Sequence, residues 1–153
     1  MANFIQGAQL RKLLFGLKVS RAAATLPSST LGNIFTVTGG RVLLVSLTGT
    51  VVTTLSGTNA TTVGVTPTAA GATSAPAALS AAGTIPVTVG CSVSSKLDGA
   101  VMVVTPAGAL IAPTPYLALP GVVTITTAST VTGTMSWDLI YVPYDTGASV
   151  VAA

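Results

Sequence analysis

The ionisable side chains are few enough to be weighed one by one. The 153 residues hold three aspartates (Asp98, Asp138, Asp145), no glutamate, no histidine, one cysteine (Cys91) and six basic residues (Arg11, Lys12, Lys18, Arg21, Arg41, Lys96). Without histidine there is no Ser-His-Asp or Cys-His arrangement and no His-containing zinc site. Without glutamate there is no Glu pair for general acid–base work. Asp98 and Asp145 stand in Gly-containing turn sequences, where Asp is common for backbone reasons alone, and Asp138 lies within an alternating strand. Two aspartates about 5–9 Å apart would mimic a glycosidase pair, but no sequence neighbour suggests a raised pKa. Asp145 with backbone carbonyls is the best that can be assembled toward a calcium site. Cys91, between Gly90 and Ser92, has no cationic neighbour and cannot form an intrachain disulfide, so it reads as an inert thiol. Gly39-Gly40-Arg41 is not a phosphate loop, since no Lys-Ser/Thr follows and no helix opens there. This inventory argues against an enzyme and calls for no cofactor and no metal.

The distribution of charge is more informative than its amount. Residues 1–24 carry +4 through Arg11, Lys12, Lys18 and Arg21 with no acid, and the remainder carries −1, so the net +3 belongs to the N-terminal segment. Leu10, Leu13, Leu14 and Leu17 follow one another at i, i+3, i+4 and i+7, the spacing of one helix face, with the basic residues off that stripe. A signal peptide would need an uninterrupted apolar core after its basic start, and here charges interrupt it. A membrane-surface helix would want more basic residues. The reading adopted is a helical or extended arm, residues 1–24, that docks on a partner through Leu10, Arg11, Lys12, Leu13, Leu14, Leu17, Lys18 and Arg21. Nucleic-acid binding is not expected, because Phe15 is the only aromatic interleaved with the basic residues.

Half of the residues are hydrophobic and only 6% are charged, against about 25% charged in ordinary soluble domains. Mean hydropathy is +0.80. No run of eighteen apolar residues occurs, so a membrane span is not expected. A surface so poor in charge is expected to be hidden against copies of the chain or within a larger assembly.

Beyond a linker at residues 25–33 every signal is β. Thr132–Val142 alternates strictly, with Met135, Trp137, Leu139 and Tyr141 on one face, and Trp137, Leu139 and Tyr141 are taken as the centre of the core. Pro143 should end that strand, with a turn at residues 144–147 and a short apolar tail after it. Gly39-Gly40 predicts a two-residue hairpin between strands 34–38 and 41–55, and Gly49 a bulge or bend within the second. Further strands are expected over 61–66, 84–89, 100–105, 109–112 and 122–128. The proline-containing stretch Pro113–Pro120 cannot be a central strand. About eight short strands with turns roughly every 8–12 residues predict an all-β fold. The form expected is an antiparallel β-sandwich or jelly-roll-like domain over 34–153. A parallel β-helix would need a fixed-period repeat, which is missing.

Two blocks carry a family resemblance. Residues 21–44, RAAATLPSSTLGNIFTVTGGRVLL, and 133–151, GTMSWDLIYVPYDTGASVV, resemble small structural proteins of tailed bacteriophages. Those proteins similarly place a Thr-Leu-Pro linker before an F-x-V-x-G-G-R-V segment and end on a Trp strand, a Y-V-P stop and a D-x-G-A turn. The blocks cover about a quarter of the chain at its two ends, and residues 48–130 match only in character. The motifs are structural and transfer no site residues. The resemblance implies a virion component. The reading it supports is a capsid decoration (cement) protein: a homotrimer bound to the major capsid protein of the head shell through its arm, with no nucleic-acid or membrane partner. The first alternative is a tail or head-fibre accessory or adhesin subunit using the 113–120 loop on a host glycan. A glycan-depolymerising enzyme is the second, disfavoured by the residue inventory.

Overall fold

In a computed structural model the chain is described over residues 7–55, 60–68, 77–78, 83–84, 92–95, 103–105, 115–127 and 130–153. Cys91, Lys96 and Asp98, and most of the strands expected over 84–112, lie outside the described residues. One helix, α1 (Gly7–Phe15), precedes twelve described strands. They are β1 (Leu17–Thr25), β2 (Leu31–Thr38), β3 (Val42–Thr53), β4 (Ala60–Pro67), β5 (Ala77–Ala78), β6 (Gly83–Thr84), β7 (Ser92–Ser95), β8 (Val103–Thr105), β9 (Tyr116–Ala118), β10 (Gly121–Thr127), β11 (Thr134–Pro143) and β12 (Ser149–Ala152).

They form two six-stranded sheets in which every pair is antiparallel. The first runs β1-β11-β3-β7-β8, with β9 also on β3. The second runs β12-β2-β10-β4-β5, with β6 also on β4. A single core draws on both. Val42, Leu44, Leu47, Val51, Met135, Trp137, Leu139 and Tyr141 come from the first sheet, and Ile34, Phe35, Val37, Val63, Val65, Val123, Ile125 and Val150 from the second. The period-2 alternation of β11 is the reason, since each second residue is buried and the residues between them are not. Consecutive Ile34 and Phe35 are both fully buried because the pairing of β2 with β10 shifts there, and a bulge turns neighbouring side chains to one face.

Several expectations need correction. Of the helical or extended arm expected over residues 1–24, the helix runs only from Gly7 to Phe15, and residues 17–24 lie in β1 of the first sheet. Gly16 takes φ +84° and ends the helix, and β1 then pairs with β11 from Leu17↔Tyr141 to Thr25↔Thr134. Leu17 and Val19 pack against the core, so the leucine stripe ends at Leu14. The expected linker ends early, because Leu31, Gly32 and Asn33 already belong to β2. The expected tail is the strand β12, paired with β2.

Gly39-Gly40 does not close a hairpin. β2 and β3 belong to different sheets, and the two glycines, at φ +73° and +146°, carry the chain across. Gly49 is not a bulge; the register of β3 shifts instead near Met135 and between Ile140 and Tyr141. Gly49 faces Trp137 across the ladder, and a Cβ there would sit 2.7 Å from Cζ3 of the indole and 2.7 Å from Cε of Met135. The glycine makes the seat for the ring.

Candidate partner-binding surface

The residues expected to meet a partner separate into two groups. Helix α1 (GAQLRKLLF) holds one. Leu10 and Leu14, one turn apart, are 47% and 66% exposed, Phe15 is 67% exposed, and Lys12, one turn before Phe15, is exposed on the side away from the two leucines. The side chains of Arg11 and Leu13 lie outside the described set. The Gly16 N–H donates to the Lys12 carbonyl at 3.0 Å and closes the last turn. Gly16 itself lies flat on the sheet: a Cβ there would meet the Tyr141 carbonyl oxygen at 2.7 Å and Ile140 Cγ2 at 3.1 Å. The helix thus joins the sheet at Gly16, with Leu10, Leu14 and Phe15 turned out.

Strand β1 holds the other group, and it is engaged within the molecule. Lys18 Nζ lies 3.0 Å from Asp138, whose other carboxylate oxygen accepts from the Ser20 hydroxyl at 2.6 Å. Both ends of this ion pair are exposed, so it contributes little to stability. Arg21 stands opposite Trp137 on the inward side of β1, and its Nε donates to the Ala153 carbonyl at 3.0 Å, bridging the edge strand of one sheet to the end of the other. Leu17 is half-buried. Of the predicted docking set, Leu10, Lys12 and Leu14 are exposed on the helix, Lys18 is exposed on β1 in its pair with Asp138, and Leu17 and Arg21 are half-buried.

A second apolar feature adjoins the helix mount. Val142 pairs with Leu43, and Leu43 with Leu117, so the three stand side by side on the outer face of the first sheet. Val142 and Leu117 are 37% and 42% exposed, and Ile140 precedes Val142 on the same face. Farther along, that face turns polar through Thr48, Thr50, Ser136 and Asp138. The sequence signal for this band is the replacement of Ser and Thr by Ile140 and Val142 at the outward positions of an alternating strand. Phe15 and the band are surface features that sequence reasoning did not assign.

Trp137, Leu139 and Tyr141 are 2%, 0% and 6% exposed, and none is part of the outer surface. The two described aspartates are engaged within the fold. Both carboxylate oxygens of Asp145 are held by Arg41: its backbone N–H and Nε donate to Oδ2 at 2.8 Å each, and Nη2 to Oδ1 at 2.8 Å. These bonds hold the Asp145 carboxyl at a pKa of about 2, below its ordinary value, and raise that of the guanidinium. The Arg41 carbonyl accepts from the N–H groups of Tyr144 and Asp145, and its guanidinium lies 4.7 Å from the Tyr144 ring centre. Both Asp145 oxygens are engaged by Arg41, and among the described residues no three acidic, Cys or His side chains gather to hold a metal.

A cleft of about 180 Å³ opens between Arg21, Thr25, Pro27, Asn33 and the buried Trp137 and Ile125. It is smaller than the roughly 300–1,000 Å³ of ordinary ligand sites. No described helix is long and apolar enough to cross a membrane. Compared with family models, with curated proteins and with solved structures, the chain matches none of them.

Proposed function

We propose that the chain is a virion structural protein, a capsid decoration protein of a tailed phage, which binds the major capsid protein of the head shell through its N-terminal helix and assembles with copies of itself as a homotrimer. In this reading the two sheets are the layers of a jelly-roll-like sandwich and α1 is the arm, shortened to residues 1–16. It is a non-enzymatic, assembly role. The observation that carries it is the display of Leu10, Leu14 and Phe15 on a helix that joins the sheet at Gly16, in a chain whose described acids are both committed to intramolecular pairs. Exposed apolar anchors of this kind mark interaction surfaces.

The two blocks that carry the phage resemblance also meet in space. Phe35 and Val37 of the first block are core residues, Gly39-Gly40 makes the crossing, and Arg41 clamps Asp145 of the D-x-G-A turn in the second. The residues that carry the resemblance therefore build one corner together. The uncharged band of Leu43, Leu117 and Val142 suits contact between copies, since obligate homo-oligomer interfaces are mainly apolar.

Labelling the protein on intact particles and counting copies tests the proposal. Hundreds of copies on the head are expected. A few copies on the tail would replace it with a fibre or adhesin role, for which exposed Leu117 and Leu119 in the 113–120 segment would be the contact to examine.

A further inference from the structure

We infer that the cleft between β1 and β2 is a binding site for a single acidic sugar unit, a ring that carries one carboxylate and several hydroxyls. The cleft lies at the edge strand of the first sheet, where it faces β2 of the second. Its floor is closed and apolar, since Ile125 and Trp137 belong to the core. Its polar groups stand at the mouth: Thr25 and Asn33 are exposed and Arg21 is half-buried. Both strands are irregular where they bring these groups in. The pairing of β1 with β11 shifts between Arg21 and Ala24, and that of β2 with β10 shifts between Phe35 and Asn33. Bulges re-aim side chains and gather beside functional sites, and here two of them flank one cleft.

The lining selects the ligand. Arg21 faces inward opposite Trp137, and the bond from its Nε to the Ala153 carbonyl holds the guanidinium in place while leaving both Nη groups for a guest. Among the described residues no carboxylate pairs with it. A half-buried guanidinium is best satisfied by a carboxylate, which can accept two parallel bonds. The Asn33 amide and the Thr25 hydroxyl each donate and accept, as sugar hydroxyls require. A fatty or aromatic acid would use Arg21 and the floor and leave Asn33 and Thr25 idle. A bare phosphate would leave the floor uncovered. The volume of 180 Å³ equals the liquid share of about six waters, which is room for one ring and too little for a chain. A free sugar acid and the end unit of an acidic polysaccharide share this chemistry.

The test titrates the full-length protein with sodium glucuronate, glucose and sodium acetate at about 0.05 M salt. Heat of binding is measured together with the emission of Trp137, the single tryptophan of the chain. Glucuronate is expected to bind saturably, with a dissociation constant of about 1 mM. Glucose lacks the carboxylate and acetate lacks the ring, and each is expected to bind at least about 10-fold more weakly. Arg21→Gln should weaken glucuronate binding about 30-fold and Asn33→Ala about 5-fold. Arg21→Gln also removes the bond to Ala153, so Asn33→Ala, exposed and outside the core, carries the test if the first variant does not fold. An oligosaccharide ending in glucuronate that binds as tightly as the monomer assigns the site to polysaccharide ends, and one that is shut out while the monomer binds assigns it to the free acid. The absence of saturable glucuronate binding overturns the inference. Equal binding of glucose or acetate overturns it too, as does unchanged affinity in the folded variants.

Discussion

Trp137 and Gly49 form a cross-strand pair in which one residue has the largest side chain of the core and the other has none. The pair behaves as a unit. Trp137→Ala should cost about 3–5 kcal/mol by leaving a cavity. Gly49→Ala should cost about 1–3 kcal/mol by forcing the ring out of its seat. Urea melts followed by tryptophan emission would read both, and a neutral Gly49→Ala would show that the indole has room to move. Asp145 makes a different kind of prediction. Its folded pKa of about 2 lies below the unfolded value of 3.8, so the clamp stabilises fully above the unfolded value and its contribution disappears as pH falls through about 2. Thermal stability should therefore drop between about pH 4 and pH 2, and Asp145→Asn should remove that part of the drop while lowering stability at neutral pH. An unchanged acid profile in the variant would assign the loss to other groups.

At the level of elements, β1 changes what a truncation should do. Removing residues 1–15 takes away only the helix and should leave a chain with native emission and melting. Removing residues 1–24 also strips β1 from β11, exposes backbone along the strand that carries Trp137, and takes Leu17 and Val19 from the core. Circular dichroism melts of the two truncations should differ sharply, and equal stability would mean that β1 is dispensable. The sequence was legible where a signal is local and periodic. The alternation of Met135, Trp137, Leu139 and Tyr141 is the burial pattern of β11, and the leucine spacing places a helix over Leu10–Leu14. It was misleading where a local pattern has two outcomes. Leu17 fits the helical spacing and also begins an inward-facing row with Val19 and Arg21, and Gly16 decides between them. Two glycines serve a hairpin and a sheet crossing equally well, and the choice depends on which strands pair, which no short window contains. The outward band was invisible because Leu43 and Leu117 are neighbours only through the ladder.

For the molecule as a whole, the shortage of charge and the exposed band favour self-association. Light scattering should give three times 15.0 kDa under native conditions, little changed by salt. Val142→Asp/Leu117→Asp, in the band and outside the core, should reduce it toward one chain. A monomer mass for the native protein would reject self-assembly, and a dimer or pentamer would reject only the three-fold arrangement. The corner where Arg41 meets Asp145 bears on how such a molecule is made. The two residues are 104 positions apart, and the segments they join, between β2 and β3 and between β11 and β12, are both crossings between sheets. Closing so long a loop before its contacts exist is unfavourable, and a fold dominated by distant pairings is a slow one. The expectation is that the clamp forms late, outside the folding transition state. Breaking it with Asp145→Asn should leave the refolding rate untouched and quicken unfolding, so that the corner sets how long a finished molecule lasts and not how fast one forms.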